Sequence, residues 1–351
     1  MMNRERGRDE DPFLGKIIQL LRSGEEANID LAFQLVQASA IPTGLYPDLA
    51  KFVLRCLKYN LLEPLKNSPE LDLSKKQLVE LPQSLGKLSH LQILNLYSNQ
   101  LRVFPEVILE LTNLESLSLN QNPIERLPEK IKGLTRLKYL HANRTKITEL
   151  PAGLFELKGL ELLDIHSNGL RHLSLAIAQL KHLEYLLLNN NRLQIVPDEI
   201  AQLTRLKNLN LENNDLKTIP EGIGHLHELK NINLLRNKIR ELPDGITNIT
   251  KLQTLNLESN RIELLPTSLD RLQNLVIFRV NDNKIKELPP SIGQMKNLRE
   301  LNLYRNQLQK VPDELGQLQP NLKKLNIMSN PLPKSERDKI LELLPNTRIY
   351  F

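Results

Sequence analysis

The sequence repeats itself every 23 residues from position 68 onward, and this periodicity limits the fold more than any other feature. Residues 91–101 align with residues 114–124 as Leu-x-x-Leu-x-Leu-x-x-Asn-x-Leu/Ile. Eleven complete units follow without a change of register, and a twelfth begins at Leu322 after a one-residue insertion. A repeat of this length predicts a solenoid in which each unit stacks on the next and none can bury its leucines alone.

Each unit is numbered from its first leucine, so that Leu91 is position one of the second unit. The leucines at positions four and six alternate with other residues, which predicts one short strand per unit and a parallel sheet across the units. Asparagine at position nine can bond backbone groups that are left free where the chain turns away from the sheet. We therefore expect a buried ladder formed by Asn99, Asn122, Asn168, Asn191, Asn214, Asn237, Asn260, Asn283, Asn306 and Asn330.

Proline stands at position fifteen in ten of the eleven complete units, with Ser174 as the exception. Proline cannot continue a helix or donate to a ladder, so extended or tightly turned backbone is expected on the outer side. With these motifs the chain resembles the leucine-rich repeat family, in particular its intracellular 23-residue Leu-Pro class, which includes plant Ras-group, Scribble-like and bacterial proteins. The resemblance covers residues 68–332 and implies an α/β horseshoe with about 12 parallel strands on its concave face.

The repeats need caps, which divides the chain into four predicted regions. Residues 1–12 are expected to be a disordered tail, 13–67 a cap of two or three helices broken near Ala40–Gly44, 68–332 the twelve units, and 333–351 a second cap. In that second cap we expect a helix started by Ser335 and a closing strand over 348–351.

Several functional classes are disfavoured by what the sequence lacks. It has no glycine-rich phosphate loop, no His-Glu-x-x-His and no paired cysteine motif, so no enzyme, cofactor or metal site is predicted. Cys56 lies in an apolar helical stretch and is interpreted as an inert buried thiol. A single cysteine, no apolar run after the charged start and no run of about 18 apolar residues favour a cytoplasmic monomer without membrane segments.

The net charge of +6 raises the question of nucleic-acid binding. Positions three, five, seven and eight should project from the concave face, and they carry six basic and seven acidic residues. A phosphate-binding groove would concentrate basic and stacking residues, so nucleic acid is not expected as a partner. Part of the surplus lies at position ten instead, where Lys146, Arg192, Lys238, Arg261 and Lys284 form an edge interrupted by Asp215. A solvated edge is the simpler interpretation of this row, and an acidic partner is the alternative.

The middle units carry the most individual concave surface. Tyrosine beside leucine and polar anchors is typical of interface hot spots, so a protein or peptide partner is predicted here. The predicted contact residues are Tyr97, Tyr139, His141, Asn143, Leu162, Asp164, His166, Tyr185, Leu187 and Asn189, with Arg279, Tyr304 and Arg305 farther along. The alternative is that these residues have changed by neutral drift on a surface that tolerates substitution. A metal held by His141, Asp164 and His166 is disfavoured, because residues two apart on a strand are about 7 Å apart.

Two functions remain in competition at this point. The first is a non-catalytic scaffold or adaptor that binds a protein partner on the concave face in the cytoplasm, for example in signalling. The second is an exported effector or surface recognition protein that uses the same face.

Overall fold

The computed structural model describes residues 12–39 and 41–351. Over these residues the chain forms five α-helices and thirteen strands in one continuous stack, with 3-10 helices between the strands. The α-helices are α1 (Pro12–Arg22), α2 (Glu26–Gln37), α3 (Tyr46–Leu49), α4 (Val53–Lys58) and α5 (Lys334–Leu343). The predicted tail lies outside the described residues except for Pro12, which begins α1.

The strands form one parallel sheet in which sequence order and spatial order are the same. The pairing joins equal positions of consecutive units, for example Glu70 with Ile93 and Asp72 with Asn95. The strands are β1 (Glu70–Asp72), β2 (Ile93–Asn95), β3 (Ser116–Ser118), β4 (Tyr139–His141), β5 (Leu162–Asp164), β6 (Tyr185–Leu187), β7 (Asn208–Asn210), β8 (Asn231–Asn233), β9 (Thr254–Asn256), β10 (Ile277–Arg279), β11 (Glu300–Asn302), β12 (Lys324–Asn326) and β13 (Arg348–Tyr350). The predicted α/β repeat solenoid, with one strand per unit and a closing strand, is confirmed.

The outer side of each complete unit carries a 3-10 helix that the sequence pattern did not predict. Proline at position fifteen has extended backbone and directly precedes this helix in most units, as Pro128 does before Glu129–Gly133. The 3-10 helices of the repeats are Gln83–Lys87, Glu106–Glu110, Glu129–Gly133, Ala152–Glu156, Leu175–Gln179, Asp198–Gln202, Glu221–His225, Asp244–Asn248, Leu269–Arg271, Pro290–Gln294 and Asp313–Leu318. At Ser174, the unit without proline, the serine hydroxyl accepts a hydrogen bond from the N–H of Ala176 at 3.2 Å and caps the helix instead.

Neighbouring outer turns are joined by carboxylates as well as by apolar packing. The Glu129 carboxylate accepts hydrogen bonds from the N–H groups of Ala152 at 3.2 Å and Gly153 at 2.8 Å, which begin the next 3-10 helix. Glu221 does the same for Asp244 and Gly245 four units later along the stack. These bonds satisfy backbone donors that a helix start leaves free.

The asparagines at position nine make one repeated set of hydrogen bonds. The Asn122 amide donates to the C=O groups of Leu96 at 2.8 Å and Leu119 at 3.0 Å, and its Oδ1 accepts from the N–H of Leu101 at 3.1 Å. Each of these residues therefore ties its own turn to the turn of the preceding unit. In the fourth unit Thr145 stands at this position, and its hydroxyl contacts the C=O of Ala142 and the Oδ1 of Asn168.

Position eight turns the chain out of the sheet with a left-handed backbone conformation. Its φ lies between +50° and +57° in every unit. Asparagine, aspartate and glycine adopt this conformation most easily, but no unit has glycine here. The residues are Lys75, Ser98, Gln121, Arg144, Ser167, Asn190, Asn213, Arg236, Ser259, Asp282, Arg305 and Ser329.

The two ends of the stack are covered by helices, with two differences from the prediction. At the N-terminal end α1 and α2 bury Ile17 and Phe33, but the third predicted helix is divided into α3 and α4 by a 3-10 turn at Ala50–Phe52. At the C-terminal end α5 begins at Lys334, so the expectation that Ser335 starts it was wrong. Pro333 occupies the N-cap position with extended backbone and makes no side-chain cap, because its ring has no hydrogen-bond acceptor.

Candidate partner-binding face

At position five of most strands, the side chain accepts a hydrogen bond from the backbone N–H two residues later. The Oδ1 atom of Asn95 accepts a hydrogen bond from the N–H of Tyr97 at 3.0 Å, and Asn256 accepts from Glu258 at 3.1 Å. The same Asx brace is made by Asp72, Asn95, Asp164, Asn210, Asn233, Asn256, Asn302 and Asn326. An Asx side chain two residues before a free N–H is a known turn signal, so the recurring Asn at position five could have indicated this structural role from the sequence.

Four units lack this brace, and their position-five side chains are free for other contacts. They are Ser118, His141 and Leu187 in the middle of the stack and Arg279 near its C-terminal end. In the unit of His141 the N–H of Asn143, which the brace would otherwise satisfy, donates instead to Oδ1 of Asn120 in the preceding unit at 2.9 Å. Three of the four, those of His141, Leu187 and Arg279, carry predicted contact residues, whereas the unit of Ser118 carries none.

The middle strands present an apolar row on the sheet surface. Tyr139, Leu162 and Tyr185 are paired side by side on β4, β5 and β6. The tyrosines are 37% and 40% exposed, and the hydroxyl of Tyr139 donates to the Glu161 carboxylate at 2.9 Å. An exposed aromatic pair on either side of a leucine offers apolar area that folding has left uncovered. Leu187 lies two residues after Tyr185 on β6, is half-buried, and extends this apolar surface along the strand.

Beside this row lies a buried carboxylate between two imidazoles. Asp164 is only 4% exposed, and its oxygens contact Nδ1 of His166 at 2.6 Å, Nδ1 of His141 at 3.5 Å and Nδ2 of Asn143 at 2.6 Å. Asn143 is itself buried, so Asp164 and Asn143 lie beneath the surface. The half-buried His141 and His166 are the members of this cluster that a partner could reach. We call Tyr139, His141, Leu162, His166, Tyr185 and Leu187 the central patch.

The environment of Asp164 lowers the pKa of its carboxyl group. Burial raises this pKa, but hydrogen bonds from His141, Asn143 and His166 favour the charged form more strongly and leave it below its ordinary value of 3.8. A carboxyl group whose pKa is lower in the folded protein than in the unfolded chain stabilises the fold at pH values above its pKa in the unfolded chain. That stabilisation is lost as the pH falls through the folded pKa.

The variant Asp164→Asn is therefore expected to lose less stability in acid than the wild type does. Urea unfolding at pH 5, 4 and 3 measures this, and the difference in unfolding free energy between the two proteins should shrink as the pH falls below 3.8. Asp198→Asn, at an exposed position on the outer side, is the control. A constant difference between wild type and Asp164→Asn at all three pH values would contradict the assigned ionisation of Asp164.

The second group of predicted contacts lies on β10 and β11, about 25 Å from the central patch at the usual spacing of strands. Arg279 Nε contacts Glu300 at 3.1 Å, and Arg305 contacts Asp282 at 3.2 Å. The guanidinium of Arg305 lies 5.8 Å from the ring centre of Tyr304. The remaining predicted contact, Tyr97, is half-buried on the other side of the patch, with the Lys75 ammonium 5.6 Å from its ring centre. The structure thus brings the central residues together and leaves Tyr97, Arg279, Tyr304 and Arg305 outside that group.

Three further features concern metal binding, thiol reactivity and membrane insertion. Among the residues that the structure describes, no group of three or more His, Cys, Asp or Glu side chains is arranged to hold a metal ion. Burial raises the pKa of the Cys56 thiol to about 12, which keeps it protonated and unreactive. No helix within 12–39 and 41–351 has the length and apolar character to cross a membrane.

Comparison with known families gives matches along most of the chain. A model described as leucine-rich repeat region matches residues 125–235 and 216–348, and a second, described as leucine rich repeat, matches residues 69–124. Among curated protein sequences, none matches this chain.

Solved structures add relatives of the same architecture. A leucine-rich repeat protein of Leptospira interrogans is 33% identical, with 82% of this chain and 91% of that chain covered and a TM-score of 0.60. An internalin of Listeria monocytogenes, 23% identical over 86% of this chain and 90% of its own with a TM-score of 0.73, shares the fold. The ectodomain of the Arabidopsis thaliana receptor kinase GASSHO1/SCHENGEN3, solved in complex with CASPARIAN STRIP INTEGRITY FACTOR 2, is 30% identical over 77% of this chain and 39% of its own, with a TM-score of 0.56.

Proposed function

Because the chain belongs to the leucine-rich repeat family, whose members generally mediate protein–protein interaction, we propose that it is a non-catalytic module that binds a protein or peptide partner on its concave face. The central patch is the contact surface in this proposal. Asp164, itself bonded by Asn143, positions its histidines from below, and Asn189 borders it two residues after β6. Tyr97, Arg279, Tyr304 and Arg305 would contact the outer parts of a larger partner.

The observation that carries the proposal is the uncovered row of Tyr139, Leu162 and Tyr185, in which both tyrosines lie on strands that lack the Asx brace. Aromatic side chains contribute a large share of the binding energy in interfaces, and these two are more exposed than the other tyrosines of the concave strands. Strand pairing in register holds them on a rigid sheet, so binding would require little ordering of the surface. The plant relative named above was solved with a bound ligand, which supports a similar use of the repeats here.

The triple variant Tyr139→Ala, His166→Ala, Tyr185→Ala is expected to lose partner binding by at least about thirtyfold, since even one hot-spot truncation costs about 2 kcal/mol. Interactors are captured on immobilised wild-type and variant protein and compared by quantitative mass spectrometry. The matched control is Asn208→Ala, Asn231→Ala, Thr254→Ala, at position three of the next three strands, where the side chains make no hydrogen bond within the described chain. Equal recovery of all interactors on the wild type, the triple variant and the control would contradict the central patch.

We also propose that the protein acts in the cytoplasm as a scaffold or adaptor, because its repeats resemble those of the intracellular 23-residue class. The regular 23-residue spacing and the proline at position fifteen support this class. The alternative is an exported recognition protein that uses the same face. Fractionation of producing cells separates the two, because continued recovery in the medium would contradict a cytoplasmic scaffold.

The proposed unit of function is a monomer in which residues 13–67 and 333–351 cap the repeats at 68–332. Burial of Ile17 and Phe33 at one end and of Ile340 at the other supports the two caps. Light scattering after size-exclusion chromatography tests the monomer directly.

A further inference from the structure

The edge of the sheet at which the strands end carries a dense row of positive charge in the middle of the repeats. In units four to ten, positions ten and twelve contain nine basic residues and two acidic ones, Asp215 and Glu263. The basic residues, which we call the basic edge, are Lys146, Arg171, Arg192, Lys217, Lys238, Arg240, Arg261, Lys284 and Lys286. All nine are exposed.

The backbone holds this row in a fixed spacing. In each of these units the N–H of position ten donates to the C=O of position eleven in the preceding unit, at 2.8–3.1 Å, as Arg192 does to Leu170 and Lys238 to Leu216. Successive units are therefore separated by about 4.8 Å here, as in the strands, and the seven units span roughly 29 Å. The positive charges form a rigid linear array.

Several charges elsewhere on the repeats are paired between neighbouring units, whereas eight of the nine charges on the basic edge have no ion-pair partner in the described chain. Glu115 contacts Lys138 at 2.8 Å and Glu184 contacts Lys207 at 2.6 Å, and three further pairs join units on other faces. In the described chain only Lys238 of the basic edge has an ion-pair partner, Asp215. Like charges side by side repel one another, so this arrangement stabilises nothing within the fold. It is suited to an anionic partner.

The neighbouring side chains indicate which anionic partner fits. Glu149, Glu241 and Glu287 stand at position thirteen beside the array, and with Asp215 and Glu263 they would repel a continuous row of phosphates or an anionic bilayer. The exposed aliphatic side chains Ile195 and Leu264, 69% and 62% exposed, stand at position thirteen of the sixth and ninth units. Three units correspond to about 14 Å, which is the length of four residues of an extended chain. A polypeptide can alternate acidic and apolar residues to match this surface, whereas a nucleic acid or a lipid surface cannot.

We propose that the basic edge is a second interaction surface, which binds an extended acidic polypeptide segment with two apolar residues four positions apart. This surface is separate from the central patch on the concave face, so either could exist without the other. The acidic side chains pair with the array, and the apolar residues cover Ile195 and Leu264. Binding weakens as salt screens the exposed charges.

The test uses a fluorescein-labelled peptide, Glu-Glu-Leu-Glu-Glu-Glu-Leu-Glu-Glu, and the full chain, followed by fluorescence anisotropy at low and physiological salt. The variant Lys238→Glu, Arg261→Glu, Lys284→Glu is expected to bind at least about tenfold more weakly, since three reversed surface charges act together. Replacing both leucines of the peptide by serine is expected to weaken binding by a few-fold. A thermal melt of each variant confirms that these exposed substitutions leave the fold intact.

The matched control reverses three exposed cations at the edge where the strands begin, as Arg136→Glu, Lys158→Glu, Arg205→Glu, with the same change in net charge. It is expected to weaken binding by about twofold or less, because these charges lie across the sheet from the array. Equal weakening by the two variants, or no binding of the peptide, would overturn the proposal. Tighter binding of a thymidine oligonucleotide or of phosphatidylserine vesicles than of the peptide would overturn its choice of partner.

Discussion

Replacing Gly153 by alanine is expected to lower the unfolding free energy by about 3 kcal/mol, the upper end of the range for overpacking a core. Gly153 is buried at the start of the 3-10 helix Ala152–Glu156. A Cβ atom there would lie 2.0 Å from the carbonyl oxygen of Glu129 and 3.0 Å from its carbonyl carbon. The obstacle is backbone of the preceding unit, which can move only if the stacking of the two units changes.

Gly133→Ala provides the control in the corresponding helix of the preceding unit. A Cβ atom at Gly133 would meet no heavy atom within 4 Å, and its φ lies outside the left-handed region. Its expected effect is a gain of up to about 0.5 kcal/mol, because alanine restricts the unfolded chain. Urea unfolding followed by circular dichroism measures both variants. A loss at Gly153 no larger than the effect at Gly133 would show that the outer turns can separate without cost.

Replacing Asn122 by leucine is expected to lower the unfolding free energy by about 4 kcal/mol, since two buried backbone groups lose their partners. The side chain of Asn122 is 1% exposed, so water cannot replace its hydrogen bonds. The C=O of Leu96 keeps a bond from Asn99, but the C=O of Leu119 has no second amide, because Thr145 interrupts the ladder in the next unit. The N–H of Leu101 also loses its acceptor.

The comparison variant is Asn208→Leu, on a strand position that is half-buried and makes no side-chain hydrogen bond in the described ranges. Its unfolding free energy should change by less than about 0.5 kcal/mol, as for most surface substitutions. Both proteins are unfolded in urea and in guanidinium to check that the transition keeps the same slope. A similar small loss for Asn122→Leu would mean that the ladder contributes little to holding adjacent units together.

The sheet and its register could be predicted because the 23-residue spacing brings equal positions of every unit together. Two details were not predicted. No role was assigned to asparagine at position five, although Asn95 and its counterparts bond their own backbone, as Asx residues before a turn commonly do. Serine is a common N-cap, so Ser335 was the expected start of the C-terminal helix, but Pro333 occupies the N-cap position and the helix begins at Lys334.

The location of the central patch could be predicted from its departures from the repeat pattern, but the burial of Asp164 beneath it could not. The sequence shows that His141, Asp164 and His166 are near one another, yet burial of Asp164 depends on how its neighbours pack across three strands. The lack of ion pairs along the basic edge has the same origin. Whether a lysine such as Lys284 finds a carboxylate depends on side-chain geometry that a count of charges does not contain.

The left-handed backbone at position eight sets a rule for redesigning this surface. Position eight lies at the rim of the concave face in every unit, so it is an obvious place to vary when a library of binding variants is made. Branching at Cβ makes a positive φ strained, and none of the twelve residues found there is valine, isoleucine or threonine. In a library that admits these three residues at Arg144 or Asn190, part of the variants would misfold. One limited to serine, asparagine, aspartate, lysine, arginine and glutamine would keep the geometry of the sheet while changing its charge.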